Sequence, residues 1–437
     1  MTVDEPVPHN RWDLLDGRRR ADPIVSVVVV HYDQPDQLAR TLAALARQTL
    51  LPTEIVIADD GSAVTPSVPA GGPPTRVVSQ PDLGFRAGAA RNRAARECRG
   101  EILVFLDADT SPEPEFLRSL TRRLAQCRDV VAVGRRRHAD LTGLPLDADP
   151  AGAPELDEPA WLRDGYASTR DLLDADGRSF RYVISAVLAC GRPLYEELGG
   201  FDERFVDYGG EDWDFAYRAW NAGAVLVHEP GAVAWHDGPG WAGRAGPADT
   251  HDLQSMRLAT LIPEPSTRGA PIPYALPDVL VEISPDPSGG VGAVVRCVHS
   301  VLRQRFRDLA VRLDPPVERA VAQMYGAALR TDPWDRDQLA RARARLAVRR
   351  PLPPHALDAA MAMLVDGDLG SVELVAAGAG VATLTATRAA ARASRWRDRL
   401  SYGEVTEGLF GTGHLEVGPV GAGPEDLAGF FARDWSE

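Results

Sequence analysis

Residues 24–62, IVSVVVVHYDQPDQLARTLAALARQTLLPTEIVIADDGS, decide the fold. Ile24 to Val30 is a near-continuous β-branched run, the pattern of a strand buried on both faces of a parallel sheet. Leu38 to Leu50 follows with helical spacing, and Glu54 to Ala58 is a second short apolar run. It ends in the polar turn Asp59-Asp60-Gly61-Ser62. Strand, helix, strand in this order opens a nucleotide-binding α/β sheet. A Pro/Gly-rich loop, Pro66 to Pro74, then leads to Arg76-Val77-Val78, to Leu83-Gly84-Phe85-Arg86-Ala87-Gly88, and to a helix through Ala89-Ala90-Arg91-Asn92-Arg93.

The next strand, Ile102 to Leu106, terminates in Asp107-Ala108-Asp109, which places two carboxylates at the carboxyl edge of the sheet, where open α/β folds bind ligands. About a hundred residues on, Gly209-Gly210-Glu211-Asp212 opens a helix running to Ala222. An enzyme that moves a sugar from a nucleotide diphosphate must neutralise the departing phosphates and deprotonate an incoming hydroxyl. The two acidic motifs supply one function each. Alone, the first reads equally as a solvated turn and the second as acids placed on a helix dipole; their order and context carry the case. Short strands at Ala224–Val227 and Ala232–Trp235 end at His236, Val183–Ala189 reads as a buried strand, and Pro193–Leu198 as a short helix. Residues 139–178 are loop-like, rich in Asp, Pro and Gly and interrupted by Trp161–Leu173, and are assigned to the acceptor side.

A chain of 437 residues exceeds one core and implies two domains. The expected division is a polar N-terminal leader (1–22), a catalytic domain (23–262), a Pro-rich linker (263–277) and a second domain (278–437). Hydrophobic content of 44% with 25% charged residues is that of a packed globular protein, and no apolar run approaches the roughly 20 residues that span a bilayer. Met1 to Arg20 lacks the apolar core of a signal peptide, so the expected location is cytoplasmic. A net charge of −14 argues against a nucleic-acid or anionic-membrane partner. All 48 basic residues are arginines, so a phosphate must be held by an Arg fork or a backbone amide. Cys98, Cys127, Cys190 and Cys297 are scattered without a Cys-x-x-Cys pair, the usage of buried free thiols.

Across residues 23–240 the ordered stretches IVSVVVVHYDQPDQLARTLAALARQT, EIVIADDGS, GFRAGAARNRAA, ILVFLDADTSP, GGFDERFVDYGGEDWDFAYRAWNAGA and AVAWHDG resemble the inverting nucleotide-sugar glycosyltransferases of family 2. The Gly-Gly-Glu-Asp tetrad with a downstream His is similar to the subset containing chondroitin polymerases and β1,4-galactosyltransferases. The resemblance implies a GT-A fold, a Rossmann-like mixed sheet flanked by helices. It implies Tyr32 packing on the base and Asp60 bonding its edge, with Phe85, Arg86 and Arg91 as candidates for the nucleotide or its diphosphate. Asp107 would bind the ribose or support the metal, and Asp109 and His236 would ligate a divalent cation, Mn²⁺ or Mg²⁺, the imidazole favouring Mn²⁺. Asp212 would be the catalytic base, Glu211 would hold acceptor hydroxyls and Tyr208 would stack on a sugar. Trp213 reads as core or as acceptor platform, Asp214 as part of the acidic helix start, and Arg135-Arg136-Arg137 as a basic feature of the polymerase-like subset or a solvated turn. The implied donor is a UDP-sugar, and the implied acceptor a glycan, a lipid-linked glycan or a small natural product.

Residues 277–437 read as a degenerate second copy of the same α/β fold. Val279–Ile283 parallels the first strand, Leu302-Arg303-Gln304-Arg305-Phe306 parallels Ala46-Arg47-Gln48-Thr49-Leu50, and Asp308–Leu313 parallels EIVIAD. Met363-Leu364-Val365-Asp366-Gly367-Asp368 is expected where the first copy has Val104 to Asp109. The chemistry is missing: Asp-Asp-Gly-Ser has become Asp314-Pro315-Pro316, and no Gly-Gly-Glu-Asp follows. A non-catalytic module, able to form a homodimer or shape the acceptor site, is expected. The alternative for the whole chain is a silent sugar-binding or scaffolding partner of the same fold. A nucleotidyltransferase is disfavoured because HYDQPDQ is no Gly-rich phosphate loop.

Overall fold

The structure, a computed structural model, describes residues 4–17, 22–206, 209–239, 248–270, 272–285, 289–313, 318–418, 420 and 427–431. The chain divides into two compact units, Met1–Trp220 with Ala224–Leu258, and Asn221–Gly223 with Ala259–Glu437.

In the first unit the elements run β1 (Val25–His31), α1 (Pro35–Leu45), β2 (Glu54–Asp59), β3 (Thr75–Ser79), α2 (Ala87–Glu97), β4 (Ile102–Asp107), β5 (Thr110–Pro112), α3 (Phe116–Thr121), β6 (Val130–Ala139), β7 (Glu155–Leu156), α4 (Ala160–Ser168), β8 (Val187–Gly191), α5 (Arg192–Leu198), α6 (Glu211–Asn221), β9 (Val225–Asp237) and α7 (Ala248–Leu261). The strands form one mixed sheet in the order β3-β2-β1-β4-β8-β6-β9-β5, with β7 paired to β6. The first four are parallel, and β8 then runs antiparallel to both β4 and β6. The β-branched run in β1 is buried throughout from Val25 to Val29, as its two-sided apolarity requires. Two expectations shift. The strand predicted over 183–189 begins only at Val187; residues 184–186 line a cavity instead and cannot join the ladder. The two short strands predicted after residue 224 are one continuous strand, β9, accommodated by a register shift in β6 between Gly134 and Arg135.

The N-terminal segment packs against this unit. Asn10 donates to the carbonyls of Leu172 and Leu226 at 2.5 and 2.8 Å and accepts from the Leu226 N–H, and Leu15 is fully buried. All four cysteines are free and buried.

The second unit contains β10 (Val279–Ile283), α8 (Gly290–Leu302), β11 (Leu309–Leu313), α9 (Glu318–Tyr325), β12 (Leu329–Arg330), α10 (Arg336–Arg341), β13 (Ala344–Val348), α11 (Ala356–Asp366), β14 (Ser371–Ala376), β15 (Ala379–Ala386), α12 (Thr387–Trp396), α13 (Tyr402–Thr406) and β16 (Thr412–Glu416). Its sheet order, β12-β11-β10-β13-β15-β14-β16, repeats that of the first sheet from β3 to β9 in both sequence and strand direction. A buried glutamine is repeated too. Gln48 donates to the carbonyls of Ala44 and Glu113 and accepts from the Leu117 N–H at the start of α3. Gln304 donates to the carbonyls of Ser300 and Pro353 and accepts from the Leu357 N–H at the start of α11. Part of the Pro-rich stretch belongs to this unit: Arg268 is buried, pairs with Asp308 and donates to the Leu276 carbonyl at 2.7 Å.

Met363–Asp368 does not occupy the place of Val104–Asp109. It lies at the end of helix α11 and the turn beyond it, where Asp368 pairs with Arg388. A short apolar run is compatible with either a buried strand or a buried helix face, and here it is the helix. The strand equivalent to β4 is β13, paired to β10 as β4 is to β1. Counting along those registers, Arg349 takes the place of Asp107, so the acidic edge has become basic. Asp314–Pro316 lies outside the described residues.

Because each buried glutamine satisfies an N–H and two carbonyls, Gln304→Leu is expected to destabilise the second unit by about 2–4 kcal/mol. Urea unfolding followed by a probe in that unit checks it; an unchanged midpoint contradicts the stitch.

Candidate active site

The carboxyl ends of β1 and β4, the start of α6 and the end of β9 surround a cavity of about 540 Å³ in the first unit. Tyr32, Asp60, Phe85, Arg91, Asp107, Asp109, Glu211, Asp212, Trp213 and His236 all line it. The fold thus gathers residues separated by two hundred positions. Arg86 is the exception among the described candidates. Its backbone N–H donates to Asp60 at 2.9 Å, while its side chain turns to the Leu83 carbonyl and stays out of the lining. Tyr208 lies outside the described residues.

Glu211 and Asp212 reach the cavity because Gly209 and Gly210 take φ of +91° and +93° immediately before α6. A side chain at Gly210 would be strained there and would meet the Phe205 ring at 2.9 Å. Beneath the tetrad, Asp214 is fully buried and pairs with Arg218 at 2.8 Å, and Arg218 donates to the carbonyls of Leu198 and Gly200. Asp214 is therefore a fastener of the helix rather than a cavity group.

Arg91, only 3% exposed, joins the two acidic motifs. It donates to Asp107 at 2.8 Å and to Glu211 at 3.1 Å, and these carboxylates keep its guanidinium charged despite burial. The next residue, Asn92, bonds the backbone of Phe201 in both directions and accepts from the Tyr195 hydroxyl, so α2 is locked to the turn that precedes α6.

Asp109 and His236 come together across the β5–β9 pairing, in which Thr110 faces His236. His236 Nε2 lies 3.5 Å from Asp109 Oδ2. The His236 Nδ1 donates to the Gly238 carbonyl at 3.1 Å, which holds the ring with Nε2 on the Asp109 side, the orientation a cation ligand needs. Gln34 donates to Asp109 Oδ2 at 3.3 Å. Asp107 has one oxygen committed to Arg91. Among the described residues no three His, Cys, Asp or Glu side chains converge as a ready-made metal cage. Two ligands of suitable chemistry are present, and a hard cation there would draw further oxygens from a bound diphosphate.

Asp212 is pushed up to about 7, chiefly by burial and by the neighbouring Glu211 carboxylate; the N–H groups of Trp213 and Ser185 and the charge of Arg91 act in the opposite direction. At the nucleotide end, Asp60 accepts from Gln80 at 2.6 Å and from the Arg86 N–H, and burial raises its pKa. Tyr32 is half exposed at the mouth, its hydroxyl 3.3 Å from Asp82. Trp213 resolves toward the cavity, with Trp161 edge-on at a centroid distance of 6.2 Å. Of the three arginines in β6, Arg135 and Arg137 pair with Glu158, and Arg136, between them on the opposite face of the strand, lines the cavity.

His31, Gln34, Ser185 and Gln254 also line it and are absent from the sequence expectation, and so does Trp161, from the stretch 139–178 expected on the acceptor side. His31 and Gln34 follow from being at the end of β1, and an exposed Trp inside an Asp/Pro/Gly-rich stretch was a signal for Trp161. Gln254 carries none, because α7 lies beyond the recognisable motifs.

A Rossmann-like sheet with paired acids at its carboxyl edge and a Gly-Gly-Glu-Asp helix start define a GT-A domain. Residues 26–176 match the family described as glycosyl transferase family 2, and residues 176–231 match the one described as the N-terminal domain of galactosyltransferase. The first unit carries a glycosyltransferase family 2 domain. Similar proteins include the hyaluronan synthase of Pasteurella multocida (28% identical, covering 66% of this chain and 32% of that one), the chondroitin synthase of Escherichia coli (28%, 66% and 46%) and the validoxylamine A glucosyltransferase of Streptomyces hygroscopicus subsp. limoneus (31%, 45% and 48%). The chain thus spans between a third and a half of the length of these curated relatives. A solved structure of GalNAc-T7 with UDP, GalNAc and Mn²⁺ aligns at a TM-score of 0.42 with 18% identity over 58% of this chain and 52% of that one. Among the described residues no helix is long and apolar enough to cross a membrane.

The raised pKa of Asp212 predicts a pH-dependent cost. Its ordinary value is 3.8, so between about pH 4 and pH 7 the folded state holds a proton the unfolded state has lost, and folding weakens as pH rises through that window. Asp212→Asn, neutral throughout, is expected to melt at nearly the wild-type temperature near pH 4 and on the order of 2–5 °C higher above pH 7. Thermal scans in chelator at several pH values check this; a constant difference contradicts it.

Proposed function

We propose that the first unit transfers a hexose or N-acetylhexosamine from a UDP-sugar to a hydroxyl of a glycan, lipid-linked or small natural-product acceptor, with inversion and with the help of a divalent cation. The observation that carries this reading is the convergence of Asp109, His236 and Asp212 on one cavity at the carboxyl edge of the sheet. Asp109 and His236 would hold the cation, with Asp107 supporting them. When bound, it supplies positive charge to the leaving diphosphate. Tyr32 and Phe85 offer faces to the base and Asp60 an edge acceptor.

Asp212, above its pKa, takes the proton of the acceptor hydroxyl as that oxygen attacks the anomeric carbon. The bond to the diphosphate oxygen breaks on the opposite face, so one displacement converts an α-linked donor into a β-linked product. Glu211, with one oxygen bound to Arg91 and the other buried without a partner, is placed to hold an acceptor hydroxyl. Trp161 and Trp213 form an aromatic wall for the sugar.

Calorimetry with UDP, GDP and dTDP, each with and without Mn²⁺, tests the donor assignment; the expected result is metal-dependent binding of UDP, and no binding of any nucleotide would sink the reading. Asp212→Asn is expected to lower transfer about 10²–10⁴-fold while UDP binding persists. His236→Ala should weaken Mn²⁺-dependent UDP binding about 10–100-fold. Retained turnover in the first variant removes Asp212 from the base role, and unchanged metal dependence in the second removes His236 from the cation.

A further inference from the structure

We propose that a second, smaller pocket beside the catalytic cavity binds the sugar next to the one that is glycosylated, so that the preferred acceptor has at least two residues. This rests on the reading of the cavity as a glycosyltransferase site. The pocket, of about 220 Å³, shares Arg136 and Ile184 with the cavity, so the two adjoin. Its volume is below the ~300–1,000 Å³ of a site for a larger molecule and suits a single ring.

Its walls have the mixed character that a sugar requires. Leu162 and Pro230 supply apolar surface, Arg136, Glu158 and Arg163 supply charged groups able to bond hydroxyls, and His228 adds an imidazole. His228 is 4% exposed, its Nδ1 donates to Asp171 Oδ1 at 2.7 Å, and its Nε2 is buried with no hydrogen-bond partner. That nitrogen has unused hydrogen-bonding capacity, and a sugar hydroxyl, which both donates and accepts, is a partner of the right kind. The Tyr166 ring lies flat on the imidazole, 3.6 Å between centroids with planes 1° apart, and its own hydroxyl is spent on the Tyr182 carbonyl at 2.6 Å. The imidazole is therefore held rigidly from one face and one edge.

The backbone that presents Asp171 is strained to do so. Arg170, Asp171 and Leu172 have φ of +51°, +58° and +67°, three consecutive non-glycine residues in the left-handed region. Such a residue persists only where its surroundings over-determine it. Here the fully buried Leu172 side chain, the Arg170–Asp174 pair and the Asn10 bond to the Leu172 carbonyl do so. A helical continuation of α4 would avoid the strain but would not bring this carboxylate under His228. The same turn accepts the His228 N–H on the Asp171 carbonyl at 3.1 Å, so backbone and side chain of Asp171 together fix the position of His228 in the wall of the pocket.

The test uses matched 4-nitrophenyl glycosides of one and two residues, β-glucoside with β-cellobioside, β-N-acetylglucosaminide with β-chitobioside, and β-galactoside with β-lactoside. Binding is read by saturation-transfer NMR on the full chain without nucleotide or metal, and transfer by UDP release from a panel of UDP-sugars with Mn²⁺. The expected result is at least one disaccharide glycoside whose binding or KM is 10-fold or more better than that of its monosaccharide. Ala167→Phe, which fills the pocket from its exposed rim and leaves the packed interior alone, should abolish that preference while the monosaccharide KM and UDP affinity stay unchanged. His228→Ala should reduce the preference in the same direction. Equal binding of one- and two-residue glycosides by the wild-type protein, or a preference untouched by Ala167→Phe, overturns the proposal. Loss of UDP binding in the wild type would instead strike the assignment of the main cavity, which the NMR arm does not need.

Discussion

The buried guanidinium of Arg91 is the constraint on which the rest of the site depends. A charge with 3% exposure is tolerated only when its partners repay desolvation, and here those partners are Asp107 from the central sheet and Glu211 from the start of α6. The same pairing sets the two acidic motifs at a fixed separation. Their spacing is decided by one arginine rather than by either loop. Asn92, next to it, clamps the turn leading to α6, so a single turn of α2 organises both walls of the cavity. The cost of crowding acids together then falls on Asp212, which burial and Glu211 push toward neutrality.

The two units separate scaffold from chemistry. Both keep the strand order, the strand directions and the buried glutamine that ties the first helix of the unit to the helix after its fourth strand. Among what the second unit lacks are the Gly-Gly-Glu-Asp helix start and the acid at the sheet edge, where Arg349 stands in the place of Asp107. Packing and hydrogen bonding inside a close-packed sheet tolerate little change, whereas groups at the rim carry no structural duty once no ligand is bound.

Much of this was legible in the sequence, and the parts that were not share a physical origin. The buried parallel strands are continuous β-branched runs, and the acids sit at their ends, so β1, β2, β4 and ten of the lining residues follow from pattern and resemblance. Met363–Asp368 misleads because its three apolar residues, Met363 to Val365, give no period long enough to tell a strand from a helix face. The role of Arg91 was equally hidden: a helix-surface arginine and a buried double ion pair look alike until the partners are placed. Gln254 and the His228–Asp171 pair come from contacts between distant segments, for which one sequence has no signal.

The junction of Asp109 with His236 has a mechanical side. These residues stand 127 positions apart along the chain, and the segments that carry them pair through the three-residue strand β5. A cation shared between them would close that long loop as a reversible cross-link, and closing a loop of this length removes much of the freedom of the unfolded chain. Donor and metal would then act as a latch on the far edge of the sheet, so that the domain is most tightly assembled while it holds its reactants and loosens when the nucleotide leaves.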